Sequence, residues 1–358
     1  MLAWLRRLHR WIGLAVAIPV AIQGLTGALL ALESALPHLQ TASGPPLAAN
    51  RIVAAALADS GPDARLLRYS PPAEPGLPAV IQVVRPRQKP ADIRIDPATL
   101  AVLPPDSGAW LWAPLRKLHV AFLVPEYGGR SIGGWFGIGL VLLLVTGVPI
   151  WWPRKGYWKA AVTIDRRLSG WSLQRSIHGA IGAWSVIALL VLAFTGVVLA
   201  FPATSRGLLG LETAGPPRPD NGRAVAVIAD MDAVLDAAAR AVPDGRVVMV
   251  TPGGRNEPAR VAMAIGEGAL GRVMLQIEPA SLKIVSVQDA RTAPPADRLY
   301  RWMHDLHEGL GLGLPWRLLV ILAGIALPVF AVTGPLMWWL VRRGRRARRA
   351  RMASAQPT

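Results

Sequence analysis

Four long apolar segments constrain this chain more than any other feature of its sequence. They are residues 11–32, 132–152, 177–201 and 318–341. Each is more than twenty residues long and contains no Asp, Glu, Lys or Arg, so each could cross a bilayer core of about 30 Å as an α-helix. The sequence therefore predicts a membrane protein, mainly α, with four transmembrane helices.

Basic residues are concentrated on one side of these helices. If the amino terminus is cytoplasmic, residues 1–10, 153–176 and 342–358 are also cytoplasmic, and they hold 3, 6 and 7 Lys or Arg against a single acid, Asp165. This distribution follows the positive-inside rule and predicts that both termini are cytoplasmic. It accounts for most of the net charge of +17 without a nucleic-acid partner. The basic tail is interpreted as a topology signal and a patch that faces membrane lipid.

The chain contains the same arrangement of motifs twice. His9 precedes Gly27 by eighteen residues, and His178 precedes Gly196 by eighteen residues. A Leu-His pair then occurs at residues 118–119 and again at 306–307, each followed by a further Thr-Gly pair in the next apolar segment. Two such copies in the same orientation predict parallel repeats related by a pseudo-twofold axis along the membrane normal.

Polar, proline-rich regions separate the helices of each copy. Both combine a helical pattern with alternating, strand-like runs, which predicts two small extracytoplasmic α+β modules. The expected domains are transmembrane helix 1 (1–36), module 1 (37–112), an interfacial segment with helix 2 (113–152), a basic loop (153–176), helix 3 (177–201), module 2 (202–297), an interfacial segment with helix 4 (298–341) and a basic tail (342–358).

Histidines are the strongest candidates for chemistry. Equivalent residues of two repeats lie at equal depth across the axis, so His9 would face His178 at the cytoplasmic end and His119 would face His307 at the outer end. Two opposed imidazoles can supply both axial ligands of a haem iron. Because the chain has no cysteine, the haem would be a non-covalent b-type, and we expect two of them. His304 lies three residues before His307 on the same helical face and is an alternative outer ligand.

Glycines at matching positions support these haem sites. Eighteen residues are five helical turns, so Gly27 and Gly196 lie on the same helix faces as the inner histidines, about 27 Å away, at the depth of the outer pair. Gly147 and Gly334 lie near the depth of the inner pair. We expect these four glycines to leave room for the haems.

Simpler interpretations exist for each residue alone. A histidine at a membrane interface is usually an anchor or a hydrogen-bonded cap, and small residues in membrane helices usually permit close packing. The haem interpretation depends on four histidines that all obey the repeat.

The motifs LHRWIG…LTG, GGRSIGG…TGVPIWWPR and WMHDLHEG…TGPLMWW resemble those of the PepSY-associated transmembrane proteins of bacterial inner membranes. The resemblance covers nearly the whole chain and implies that the two modules are periplasmic PepSY domains. It further implies two b-type haems, with ligands at His9 and His178 inside and at His119 with His304 or His307 outside. The second outer region lacks the Gly-Gly-Arg found at residues 128–130.

Some members of this family are ferric-siderophore reductases. The resemblance therefore implies an oxidoreductase that passes electrons to a ferric siderophore for iron uptake. The short cytoplasmic segments have no nucleotide or flavin motif, so we expect an external electron donor, a quinol or a cytoplasmic reductase. The alternative function is a membrane-anchored PepSY module that binds a peptidase or peptide without redox activity. An anchor of that kind would not need the repeated histidines.

Overall fold

A computed structural model describes residues 2–33, 44–105, 108–211, 230–254 and 257–354. The helices are α1 (Leu2–Glu33), α2 (Ala49–Ser60), α3 (Ala109–Ala121), α4 (Gly129–Trp151), α5 (Trp158–Val162), α6 (Gly170–Ala200), α7 (Pro202–Leu208), α8 (Met231–Ala241), α9 (Pro295–His307) and α10 (Gly313–Ser354). The strands are β1 (Arg65–Ser70), β2 (Ala79–Val84), β3 (Ala91–Ile95), β4 (Val102–Leu103), β5 (Arg246–Thr251), β6 (Ala259–Ala264), β7 (Arg272–Ile277) and β8 (Ile284–Asp289). The chain divides into two compact units.

The first unit is a helix bundle built from Met1–Ala35, Leu111–Leu208 and Met303–Thr358. Four of its helices, α1, α4, α6 and α10, are long and apolar enough to cross a membrane, which confirms the four helices predicted from the sequence. α1 and α6 each pack against both α4 and α10. Their buried residues form one apolar cluster that includes Val20, Leu189 and Val320.

Small side chains allow α1 and α10 to approach closely. A Cβ on Gly24 would lie 2.7 Å from the carbonyl oxygen of Gly324, and a Cβ on Gly324 would lie 2.6 Å from that of Gly24. Contacts this short leave no space for a side chain on either helix. This is the usual role of small residues between membrane helices, where van der Waals packing rather than the hydrophobic effect holds the helices together.

The described residues of the second unit form one antiparallel sheet, the helices α2 and α8, and the first part of α9. The unit comprises Leu36–Trp110 and Leu209–Trp302. Its eight strands follow the order β4-β3-β2-β1-β5-β6-β7-β8. Alternate residues of the strands pack against α2 and α8 in one apolar core that includes Ile81, Val261 and Leu275. This alternation is what period-2 patterning predicts for a sheet covered on one face.

The two predicted modules share this sheet. β1 of the first pairs with β5 of the second, where Tyr69 lies opposite Val250. The structure also contains β4 and β8, which extend the two edges and were not predicted. The predicted boundary between residues 36 and 37 lies outside the described part of the chain.

Reciprocal hydrogen bonds join the first turns of α2 and α8. The carboxylate of Asp232 accepts the backbone N–H groups of Ala49 at 2.6 Å and Asn50 at 3.1 Å. The side-chain oxygen of Asn50 accepts the N–H of Met231 at 2.7 Å, and its amide nitrogen donates to Asp230. N–H groups in the first turn of a helix have no partner within the helix, so each helix supplies the cap that the other needs.

Candidate functional site

The inner histidine pair joins two of the membrane helices. His9 lies on α1 and His178 on α6, and their ring centroids are 6.5 Å apart. The two rings are nearly perpendicular, at 77°. The structure therefore brings together two imidazoles that are far apart in the sequence, both inside the helix bundle.

The outer pair is formed by the shorter helices that precede α4 and α10. His119 lies on α3 and His307 on α9, with ring centroids 6.1 Å apart. Burial lowers the pKa of both imidazoles, and that of His307 to about 4. Both rings are therefore neutral at neutral pH, the form that binds metals.

Each of the four rings meets a threonine on a neighbouring helix. The distances from Nδ1 to Oγ1 are 3.0 Å for His9 with Thr146, 2.8 Å for His178 with Thr333, 3.0 Å for His119 with Thr26 and 3.1 Å for His307 with Thr195. Every one of these threonines belongs to a Thr-Gly pair. The sequence analysis identified the glycines of these pairs and missed the threonines, although the fourfold repetition of Thr-Gly was a visible signal.

The threonine hydroxyls decide which ring nitrogen carries the hydrogen. Each hydroxyl also lies between 2.6 and 2.8 Å from the backbone carbonyl oxygen four residues earlier in its own helix. A hydroxyl has one hydrogen, and a carbonyl oxygen can only accept, so the hydroxyl donates to the carbonyl and accepts from the imidazole. Nδ1 therefore carries the hydrogen, and Nε2 of each neutral ring keeps a free lone pair.

The outer pair has a second hydrogen bond that leads to the same conclusion. Nδ1 of His119 lies 3.0 Å from the carbonyl oxygen of Gln23, and Nδ1 of His307 lies 3.1 Å from that of Leu192. Because these oxygens are acceptors only, Nδ1 must be the donor. The sequence analysis did not foresee these backbone partners.

The glycine of each Thr-Gly pair lies against the same ring that the threonine holds. A Cβ at Gly27 would be 2.9 Å from Cε1 of His119, and one at Gly196 would be 2.9 Å from Cε1 of His307. At Gly147 the distance to Cε1 of His9 would be 3.2 Å, and at Gly334 the distance to Cε1 of His178 would be 3.9 Å. The sequence analysis expected these glycines to make room for haem, whereas their neighbours here are the imidazoles.

His304 lies one helical turn before His307 and is not paired with His119. Its side chain is 44% exposed, and its Nδ1 lies 3.5 Å from a carboxylate oxygen of Glu308. The ring that the structure places beside His119 is that of His307.

Both pairs have the spacing required of two axial ligands. A His–metal bond is about 2 Å long, so two imidazoles on opposite sides of one ion have ring centroids about 6 Å apart. The observed separations of 6.5 and 6.1 Å agree with this geometry. Across the described part of the chain, no group of three or more His, Cys, Asp or Glu could hold a bare metal ion. The residues present thus fit a group that takes two nitrogen ligands from the protein and supplies the remaining metal ligands itself, as a haem does.

The chain matches the family model described as PepSY-associated TM region over residues 6–341. No curated protein sequence matches it. Since the match includes all four membrane helices and both units, the chain belongs to the PepSY-associated TM region family.

Proposed function

We propose that this protein is a transmembrane electron carrier that binds two b-type haems and reduces a ferric siderophore. The observation that carries the proposal is the set of four part-buried imidazoles, arranged as two pairs, each with Nδ1 bound by a threonine. A structural histidine has no need of this arrangement, which leaves Nε2 as the available ligand atom on every ring.

His9 and His178 would hold the inner haem, and His119 and His307 the outer one. The absence of cysteine means that both would be bound without covalent attachment. Haem iron would supply one-electron redox chemistry at these two positions.

The protein itself supplies orientation and surroundings from which water is partly excluded. A hydrogen bond from the remaining ring nitrogen fixes the tautomer and the angle of a metal-binding imidazole and raises its basicity. The four threonines perform this task here. Partial burial of the rings limits the water around them, so less solvent reorganises when the charge of the site changes.

The separation of the two pairs along the bundle supports electron transfer across a membrane. His9 precedes Gly27 by eighteen residues on the continuous helix α1, and Gly27 contacts His119. The pairs are thus separated by about 27 Å along the helix, close to the thickness of a bilayer core. We place the inner pair on the cytoplasmic side of a bacterial inner membrane, with both termini cytoplasmic and the second unit in the periplasm.

The equivalent contacts of the two histidines in each pair support the proposed pseudo-twofold repeat. Thr146 binds His9 as Thr333 binds His178, and the two belong to corresponding Thr-Gly pairs. A duplicated chain with an axis along the membrane normal would create the two sites by symmetry.

The substrate is a ferric siderophore at the periplasmic side. One electron converts Fe(III) to Fe(II), which the hard oxygen ligands of a siderophore hold less tightly, so the iron is released. The donor is a quinol or a cytoplasmic reductase that delivers electrons to the inner site.

Purification of the full-length protein from haem-replete cells tests the proposal. We expect two haems per chain and the absorption spectrum of six-coordinate b-haem. His9→Ala and His178→Ala should each remove one haem, His307→Ala should remove the other, and the neighbouring His304→Ala should remove none. A colourless protein, or unchanged haem content in the first three variants, would contradict the proposal and favour a membrane-anchored binding module.

A further inference from the structure

We propose that the uncovered face of the eight-stranded sheet binds ferric chelates that carry a net negative charge. The inference rests on the proposed function, since it names the class of siderophore that the reductase would take. All the residues on which it depends lie in the second unit.

One face of the sheet is rich in arginine. α2 and α8 cover the other face, where Ile52, Ala56 and Val234 pack against alternate strand residues. By the register of the strands, the residues directed to the uncovered face include a single acid, Asp92, and six arginines. These are Arg65, Arg68, Arg94, Arg246, Arg260 and Arg272.

Two of these arginines flank the seam between the two halves of the sheet. Tyr69 of β1 lies opposite Val250 of β5, so Arg68 lies opposite Thr251. Thr251 in turn lies opposite Arg260 of β6. Arg68, Thr251 and Arg260 thus lie side by side on three neighbouring strands. With strands about 4.8 Å apart, the two arginine Cα atoms are about 10 Å apart and can contact one small molecule.

Amides extend this row on both sides. Gln82 lies opposite Arg68 on β2, and Gln276 lies opposite Arg260 on β7. The carboxylate of Asp92 accepts a hydrogen bond from Gln82 at 2.8 Å. We call the five residues Gln82, Arg68, Thr251, Arg260 and Gln276 the polar row.

The arginines of the polar row are available to a ligand. Arg68 and Arg260 are both exposed, and neither forms an ion pair with any acid among the described residues. By contrast, Arg291 of the same unit is bound to Asp289 and Asp244. Two unpaired guanidinium groups on a rigid sheet therefore give this surface a positive potential.

An anionic chelate matches this chemistry. Guanidinium groups donate paired hydrogen bonds to carboxylate or catecholate oxygens, and charge-assisted bonds are about twice as strong as neutral ones. A tris-catecholate keeps a net negative charge after it binds Fe(III), whereas a tris-hydroxamate becomes neutral. The polar row should therefore favour catecholate and carboxylate chelates.

A membrane surface is the competing source of negative charge. Protein surfaces that bind lipid combine basic side chains with Trp, Phe or Leu that enter the bilayer. The polar row contains none of these residues. Its composition favours a soluble ligand over phospholipid headgroups.

Gallium chelates allow binding to be measured without reduction, because Ga(III) takes the same ligands as Fe(III) and is not reduced here. The full-length protein in phosphatidylcholine nanodiscs is dialysed against a tripodal tris-catecholate or tris-hydroxamate of Ga(III). Wild-type protein should bind the catecholate more tightly. Arg68→Gln with Arg260→Gln should weaken catecholate binding by about tenfold or more and leave hydroxamate binding unchanged.

A matched control removes the same charge from the covered side of the sheet. Arg51→Gln with Arg240→Gln changes two exposed arginines on α2 and α8 and should leave catecholate binding unchanged. Wild-type affinity in the first double variant, or equal losses in both, would overturn the inference. A first double variant that loses only binding to phosphatidylglycerol vesicles would also overturn it and identify a lipid surface. Absence of haem would refute the proposed function without affecting this binding measurement.

Discussion

The hydroxyl of Thr146 accepts a hydrogen bond from Nδ1 of His9, with 3.0 Å between the two atoms. The same hydroxyl donates to the carbonyl oxygen of Leu142 at 2.6 Å. A helix backbone thus sets the hydrogen-bond direction of a threonine, and the threonine sets the tautomer of a histidine on another helix.

Thr146→Val should weaken the inner haem site. Valine has nearly the shape of threonine but cannot accept the Nδ1 hydrogen, which would keep only a backbone contact with the carbonyl group of Leu143. We expect haem affinity to fall about 10- to 100-fold and the midpoint potential of the remaining inner haem to rise, since a less basic ligand stabilises Fe(III) less. Haem retention during dialysis and a potentiometric titration measure the two effects.

Thr146→Ser is the control for this substitution. Serine keeps the hydroxyl and should restore most of the affinity and potential. If serine and valine gave the same values, the hydrogen bond would have no role in tuning the site.

Thr26→Val should have a smaller effect than Thr146→Val. His119 keeps a second acceptor in the carbonyl oxygen of Gln23, 3.0 Å from its Nδ1, so the loss of the hydroxyl leaves no orphaned hydrogen. We expect the outer haem to stay bound with a potential close to that of the wild type. Equal losses at both sites would show that the carbonyl contributes nothing.

Gly196→Ala should displace an outer ligand, whereas Gly334→Ala should be tolerated. The new methyl group would lie 2.9 Å from Cε1 of His307 in the first case but 3.9 Å from Cε1 of His178 in the second, an ordinary contact. Overpacking of this kind costs about 1–3 kcal/mol. The low-spin haem spectrum of the two variants should differ accordingly, and similar spectra would contradict the prediction.

Asp232→Ala should destabilise the first turn of α2 as well as that of α8, the helix to which Asp232 belongs. Its carboxylate accepts the N–H groups of Ala49 and Asn50, and loss of such a cap costs about 0.5–2 kcal/mol. Hydrogen exchange of the full-length protein, followed by mass spectrometry, should show faster exchange in peptides from residues 49–60. Asp236→Ala, at an exposed position of α8, serves as the control and should leave that exchange rate unchanged.

The membrane helices and much of the candidate site could be predicted from the sequence. Uninterrupted apolar runs allow little besides helices in a bilayer, which is why all four were found. The pairing of His9 with His178, and of His119 with His307, was inferred from equivalent positions in the repeats, and the structure places these rings together.

Other features depend on contacts that the sequence pattern does not reveal. The threonines were missed because a hydroxyl in a helix usually bonds only its own backbone, and nothing local shows that a histidine from another helix also reaches it. The pairing of β1 with β5 joins Tyr69 and Val250 across about half of the chain, and no turn motif connects them. Strand β8 carries Val285 and Val287 at an edge where both remain exposed, so its pattern of burial was weak.

The position of β1 at the centre of the sheet has a consequence for biosynthesis. Its partner β5 follows α4 and α6 in the chain, so both of these helices are synthesised before the strand that pairs with β1 emerges from the ribosome. Throughout that interval β1 is an open edge, the kind of surface on which chains aggregate. On the proposed topology, a nascent polypeptide stalled after residue 208 should therefore depend on periplasmic chaperones, and that dependence should end once residue 251 has been translocated.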